Sequence, residues 1–501
     1  MPDEINNEFT GRTRRKPASG SKSRLRLLKF QSKAMQLKFN AAEAFRLLKL
    51  ASPILLGSLA TTGMAFTDTV MAGKVSSADL AGLSLATSIY ILVVIPLSAL
   101  MMAVTPVIAA DHGACEPKKI SFHFYQLLYS AAIATTIACL LNFGSTALFS
   151  LLDLEPRVQE IAERYLAIIT AGIPFMFAFN SVRALTDGLS NTVITMFCCM
   201  TGLLFNVGLN YVFIYGRLGM PAMGGAGCAA ATVIVQFLML VFQLLMVNRL
   251  RYIRSCRIFS SPPKPDWKTI GNYFRLSYPL GLAMLFEIGI FSFFAFVVTV
   301  MGTKAIAANQ IFFNYMTVLY MLPMSLSHAA AIRVGYTTGA RDPATTRLTV
   351  STSLLAGLAM ALVIGILSFV FRRNIAQIYT DDPQVLELLA DAFICVSVYQ
   401  LSDYCQTIGI GVLRGLLDTK IITVMAVITY WFFAAPVALM LCFTGFMWGP
   451  HGFTGLCIAL SVSLYILAVA YLLRINRHFS GNDLARETQE AAQDKTKPAS
   501  D

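Results

Sequence analysis

The chain has 501 residues, 56% of them hydrophobic and only 13% charged, with a formal net charge of +12. Soluble domains carry roughly a quarter of their residues as Asp, Glu, Lys and Arg, so a soluble enzyme or binding module charged throughout its length is excluded. The basic excess does not indicate a nucleic-acid partner either, because it is gathered into short stretches that border long apolar runs, the pattern of cytoplasmic loops in a membrane protein.

The first 45 residues are polar and basic, with Arg12, Arg14, Arg15 and Lys16 in one cluster. They read as a disordered cytoplasmic arm, with attraction to anionic lipid headgroups as the alternative, and they contain no secretory signal. Apolar runs then follow at 50–72, 83–110, 123–149, 162–186, 191–215 and 226–248. A second set occupies 274–301, 306–334, 349–371, 390–413, 419–444 and 452–473. Each reaches the length of about 20 residues that a membrane-crossing helix needs. The expected fold is an all-α integral membrane protein of about twelve transmembrane helices.

In the first span, Asp68 lies six residues before Lys74, roughly 9 Å along a helix at about 1.5 Å per residue. Depth alone leaves it open between an interfacial acid and an intramembrane group. Asn180 falls within the fourth span, and Asn206 and Asn210 lie one turn apart on the fifth. Amides in spans more often join helices than ligate ions, although a carboxylate with several amide and hydroxyl oxygens suits a hard cation such as sodium. The loop from 249 to 273 carries six basic residues against one acid, Asp266, with Arg275 just beyond it. Beyond it, Glu287 lies near the centre of the seventh span, and Asp403 lies mid-span in the tenth, with Tyr399 one turn earlier on the same face. No Lys or Arg occupies the middle of a span to neutralise them. An ionisable group at that depth costs at least about 2.5 kcal/mol on insertion scales, and a buried unpaired carboxylate takes up a proton or binds a cation. Either behaviour makes a coupling site; the bland alternative is a permanently protonated packing residue.

The ten cysteines show no metal-ligand spacing and read as small buried hydrophobes, and the five histidines form no cluster. There is no phosphate-binding loop and no G-x-S-x-G element, so neither ATP-driven transport nor a serine-type enzyme is expected.

The two sets of spans repeat one another. Pro53 and Pro279 are 226 residues apart, Pro96 and Pro323 are 227 apart, Gly113 and Gly339 are 226 apart, and Gly188 and Gly415 are 227 apart. Six spans in each half make the halves run in the same direction, related by an axis along the membrane normal, an arrangement suited to alternating access. The expected organisation is a basic cytoplasmic tail (1–45), a first lobe (46–248), an interlobe linker (249–273), a second lobe (274–475) and a polar cytoplasmic tail (476–501). Because one chain already supplies two lobes, a monomer suffices. Basic residues concentrate in the even-numbered loops, including Lys118, Lys119, Arg341 and Arg347, which places both termini in the cytoplasm.

The stretches ASPILLG, FTDTVMAG, LAGLSLATSIY, VTPVIAADHGA, RALTDGLSNT, LLFNVGLNYVFIYG, GGAGCAAAT, LSYPLGLAMLFE and YQLSDYCQTIGIGVLRGLLDT resemble, in order and spacing over about residues 45 to 475, the MATE (multidrug and toxic compound extrusion) family, NorM-like branch. The resemblance implies two six-helix lobes around a central cavity. It also implies export of organic cations or amphipathic compounds in exchange for sodium or protons, with no cofactor, across a cell membrane, here a bacterial inner membrane. The partners expected are small organic cations and membrane lipid, not nucleic acid. The family's intramembrane acids match Asp68, Glu287 and Asp403, and its neighbouring tyrosine matches Tyr399. Its first-lobe cation site matches Asn180, Asn206 and Asn210, with Thr232 on the sixth helix completing the set. Relatives in other branches carry an acid where this chain has Asn210, so the first-lobe site here has one carboxylate. The rival reading is a flippase for a lipid-linked or polyprenyl substrate, which an arginine-lined cavity would favour.

Overall fold

A computed structural model describes residues 38–149, 155–255, 262–444 and 452–479. Most of the two tails, together with Asp153, Arg257 and His451, lie outside the described residues. The described residues form helices α1 Ala41–Gly73, α2 Ser77–Gly113, α3 Pro117–Phe149, α4 Pro156–Thr170, α5 Ile173–Gly188, α6 Val193–Tyr215 and α7 Gly225–Arg249. The short α8 Arg251–Ser255 is followed by α9 Trp267–Thr299, α10 Thr303–Gly339, α11 Pro343–Val370, the short α12 Arg372–Tyr379, and α13 Pro383–Gly415. The last two are α14 Lys420–Phe443 and α15 Gly452–Phe479. No strand occurs among the described residues. Eleven of these helices are long and apolar enough to cross a membrane, and α4 with α5 makes a twelfth span bent by 45°. Only helices that satisfy their own backbone polar groups are stable in hydrocarbon without closing into a barrel, so the chain is a multi-pass membrane protein.

The helices extend past the apolar runs because polar caps outside the bilayer start them. The Asn40 side chain accepts from the Glu43 amide, so α1 begins at Ala41 rather than at residue 50. Asp266 and Asp342 accept from Lys268 N and Thr345 N at the starts of α9 and α11. A hydrogen bond from Thr269 holds the Asp266 carboxyl below the usual carboxylate range. The fourth span, expected as one helix, breaks between Thr170 and Ile173. Pro174 cannot continue the hydrogen-bond ladder, and at Gly172 a Cβ would lie 2.6 Å from Gln236 Oε1 on α7.

The six spans of each half form a lobe, and the repeat seen in the sequence reappears as matched contacts. Within the first lobe, Thr192 Oγ1 donates to Leu50 O at 3.2 Å, three residues before Pro53. In the second, Thr419 Oγ1 donates to Leu276 O at 2.8 Å, three residues before Pro279. A proline inside a helix disturbs the carbonyls of the preceding turn, and each threonine supplies a donor there. Four residues with positive φ are also matched: Ser190 (60°) with Leu417 (59°), and Cys115 (56°) with Arg341 (56°). Each closes a helix with the same pair of backbone bonds, for example Asn191 N to Thr186 O and Asp418 N to Leu413 O, both 2.9 Å.

The lobes meet through α1, α2, α9 and α10. At one end of the bundle the contact is backbone on backbone. A Cβ on Gly113 would overlap Tyr336 O, and one on Gly339 would overlap Ala110 O, the repeat-equivalent atom. Farther in, a Cβ on Gly335 would lie 2.7 Å from Pro106 O and one on Gly281 would lie 2.5 Å from Pro96 O. The segment before α9 follows α3: Gln126 Nε2 donates to Lys264 O and Tyr129 Oη to Pro263 O, both at 2.9 Å.

These contacts give a direct test. Gly339→Ala must push α2 and α10 apart and is expected to destabilise the protein by about 1–3 kcal/mol, as overpacking does. Gly271→Ala, where a Cβ meets nothing within 4 Å, should leave stability unchanged or raised by roughly 0.5 kcal/mol. Thermal unfolding of the two variants in the same detergent measures the difference.

Candidate functional site

The acidic residues buried or half-buried in the bundle divide by partner. Glu43 is paired with Arg333, Asp111 with His123 and Asp187 with Arg183. Asp79 accepts from Ser76 Oγ and from the Gly225 amide, both at 2.6 Å, which fixes the start of α2 to the start of α7. The GGAG stretch is explained by the same contact, since a side chain at Gly224 would collide with the Asp79 carboxylate. Among the described residues, no lysine, arginine or histidine pairs with Asp68, Glu287 or Asp403.

In the first lobe, α1 packs on α6 and brings Asp68 to the polar face of that helix. Asp68 Oδ1 accepts from Asn206 Nδ2 at 3.1 Å and from Asn210 Nδ2 at 2.5 Å. Asp68 Oδ2 accepts from Thr232 Oγ1 at 3.3 Å. Asn210 Nδ2 also donates to Asn206 Oδ1 at 3.1 Å, and Asn210 Oδ1 is buried without a partner. Cys228, one turn before Thr232 on α7, donates through Sγ to Asp68 O at 3.6 Å. Three helices therefore converge on one carboxylate through uncharged donors. An amide presents N–H on one side and oxygen on the other, so a half-turn of the two Asn side chains would exchange donors for ligating oxygens.

Asn180 departs from the expected set. It has no hydrogen bond to this cluster and lines a different cavity, of about 200 Å³, with Ser98, Thr105, Arg183, Asp187, His328 and Arg414. The helical period accounts for this. Asn180, Arg183 and Asp187 occupy one stripe of α5 at spacings of three and four, and that stripe faces α2 and the second lobe.

In the second lobe, Glu287 from α9 and Tyr399 and Asp403 from α13 line one cavity of about 570 Å³. Asp403 is 3% exposed and Tyr399 7%. The cavity is rimmed by Asn309, Tyr320, Gln406 and Tyr430 and by the apolar Phe291, Phe312, Phe313 and Met316. Two carboxyls in an apolar, aromatic chamber without a fixed counter-cation attract protons and small or organic cations, the latter also through ring faces.

Four of these lining residues, Asn309, Tyr320, Gln406 and Tyr430, escaped the reading of the sequence. Tyr430 belongs to a π-helical segment, Ile428–Ala434, within α14; such segments are frequent at functional sites. The segment abuts α9 beside Glu287: Trp431 Nε1 donates to Phe286 O at 3.2 Å, and a Cβ on Gly289 would lie 3.0 Å from the Trp431 ring. The aromatic run TYWFF was the available signal, but an aromatic run in a span is equally what lipid contact requires.

The comparisons with known proteins agree with this arrangement. The MatE family model matches residues 53–212 and 279–440, one match in each lobe. The Multidrug resistance protein NorM of Photobacterium profundum is 34% identical over 85% of this chain and 94% of its own length. The Multidrug resistance protein MdtK of Edwardsiella ictaluri is 36% identical over 86% of this chain and 95% of its own. Among solved structures, the Vibrio cholerae MATE transporter VcmN in its bent form superposes with a TM-score of 0.78 at 18% identity, covering 88% of this chain and 99% of that one. The eukaryotic MATE transporter AtDTX14 does so with a TM-score of 0.76 at 19% identity, over 90% and 99%. At those identities the superpositions speak for the fold alone. With a family match over both lobes and relatives above 30% identity along nearly their whole length, the chain belongs to the MatE family of membrane transporters.

Proposed function

We propose that this protein is a multidrug exporter that couples outward movement of organic cations to inward movement of sodium or protons. The observation that carries the reading is the second-lobe cavity, where Glu287 and Asp403 face one chamber beside Tyr399 with no basic partner. The names of the relatives, multidrug resistance proteins, supply the substrate class. Aromatic walls with a negative field are what a lipophilic cation prefers, and the same carboxyls are the groups a coupling ion would neutralise. Ligands that bind one conformation better than another shift the balance between them by that differential affinity. The coupling ion, arriving from outside, occupies or protonates the carboxyls; the organic cation competes for the same field and leaves outward.

Asp68 with Asn206, Asn210 and Thr232 forms the matching element in the first lobe. With the amide N–H groups turned to the carboxylate, the site suits an ionised, ion-free Asp68. Turning Asn206 Oδ1 and Asn210 Oδ1 inward supplies oxygen ligands for sodium. The protein works as a monomer in a cell membrane, the bacterial inner membrane on the relatives' sources. The end bearing Asn40, Gly113 and Gly339 faces the cytoplasm, because Lys118, Lys119, Lys264, Lys268, Arg341 and Arg347 collect there. The basic tail is a cytoplasmic arm on the same reasoning.

The test is uptake of a fluorescent organic cation into inside-out vesicles whose lumen is loaded with sodium or acidified. Accumulation under one of these gradients is expected, reduced by Asp403→Asn to the level of vesicles lacking the protein. Failure under both gradients with folded wild-type protein would overturn the reading and favour a lipid-type substrate. A second expectation concerns the first lobe. Asn210→Ala removes the amide oxygen that would turn inward to ligate sodium and should raise the half-saturating sodium concentration by about tenfold, about 1.4 kcal/mol, read as sodium-driven uptake against sodium concentration.

A further inference from the structure

Among the described residues, one ion pair joins the two lobes. Glu43, in the first turn of α1, is 2% exposed and receives Arg333 of α10 through two bonds: Nε to Oε1 at 2.6 Å and Nη2 to Oε2 at 3.1 Å. Thr349 of α11 donates to Oε1 at 2.7 Å, and Arg46 donates to Oε2 at 3.1 Å. The residues ahead of α1 continue the attachment. Lys38 O accepts from Ser351 Oγ at 2.6 Å, and Asn40 N donates to Thr352 Oγ1 at 3.3 Å. The start of the first-lobe helix that carries Asp68 is thus strapped across α10 and α11 of the second lobe.

Two features separate this contact from ordinary lobe packing. It has no counterpart in the internal repeat: the positions 226 residues away from Glu43 and Arg333 are Thr269 and Val107, and Thr269 only serves the Asp266 cap. Among the described residues it is also the one contact between the lobes in which opposite charges are paired; the glycine contacts at Gly113 and Gly339 are van der Waals, and Arg414 Nη2 donates to a neutral carbonyl, Met102 O, at 3.0 Å. A carboxylate withdrawn from water is stable only while paired and hydrogen-bonded, whereas the same pair in water contributes little. Separation of the lobes at this end would admit water to both partners at once. The pair therefore favours the closed form strongly when dry and hardly at all once the gap has opened.

We infer that Glu43 and Arg333 are the latch that holds the cytoplasmic end closed, and that its release is the step admitting substrate from the cytoplasm. Both are positioning residues, remote from the cation-binding carboxyls. The inference rests on the transport reading above, and the experiment separates the two. Spin labels are placed at Lys118→Cys and Ala344→Cys, exposed repeat-equivalent positions in the first turns of α3 and α11, in full-length protein with its native cysteines replaced and reconstituted in lipid. Glu43→Gln should raise the ratio of open to closed distances on the order of tenfold. The double variant Glu43→Gln/Arg333→Gln leaves no stranded charge and should do the same, which guards against a folding defect. Unchanged distances in both latch variants, with wild-type transport intact, would overturn the latch alone. The expected shift in a protein whose wild type transports no organic cation under any gradient would support the latch and overturn the transport reading.

Discussion

The structure depends on how closely α2 and α10 approach at Gly113 and Gly339. Each glycine leaves no room for a side chain because the carbonyl of the other helix occupies that space. In hydrocarbon there is no hydrophobic drive to bring helices together, so association relies on close packing and on small residues that permit it. The same device recurs at Gly281 and Gly335 along the interface. Each lobe is consequently free to be apolar almost throughout while the seam between them remains tight at one end.

The repeat governs scaffold and not chemistry. Paired prolines, paired threonines that serve the carbonyls beside them, and paired helix ends with positive φ at Ser190, Leu417, Cys115 and Arg341 all follow the offset of 226 or 227 residues. The charged groups do not. Asp68 corresponds to Phe294, Glu287 to Thr61, Asp403 to Met176, and Asp187 to Arg414. Backbone geometry is preserved between the halves because it satisfies the same requirement twice; the polar groups have diverged, so the first lobe holds one carboxylate among amides and the second holds two in an aromatic chamber. On the proposed function, unlike polar groups on like frames would let different ligands favour different conformations.

Acids without basic partners, Asp403 buried and Asp68 and Glu287 half-buried, set these sites apart from the rest of the described polar interior. Elsewhere a carboxylate in the bundle is neutralised by a neighbour or by a helix amide, as at Glu43, Asp79 and Asp187. Asp68, Glu287 and Asp403 have no such basic neighbour among the described residues, and on the proposed function a mobile cation or proton would neutralise them, since an isolated charge in a low-dielectric interior is not stable.

Hydropathy by itself determined the approximate number of spans, because that depends on local composition and on the length needed to cross a bilayer, and prolines and glycines recurring at one offset determined the two-fold repeat. The mid-span acids Glu287 and Asp403 were legible for the same reason: a carboxyl in an apolar run stands out without knowledge of its neighbours. Only the tertiary structure decided which polar groups meet. It bonded to Asp68 the Asn206, Asn210 and Thr232 that only the family resemblance had grouped with it, turned Asn180 toward another cavity, added Tyr430 through a π-helical turn, and paired Glu43 with Arg333 across 290 residues. These outcomes depend on the rotation of one helix against another. In a bilayer that rotation is set by close packing between distant segments, of which periodicity along a single helix carries no record.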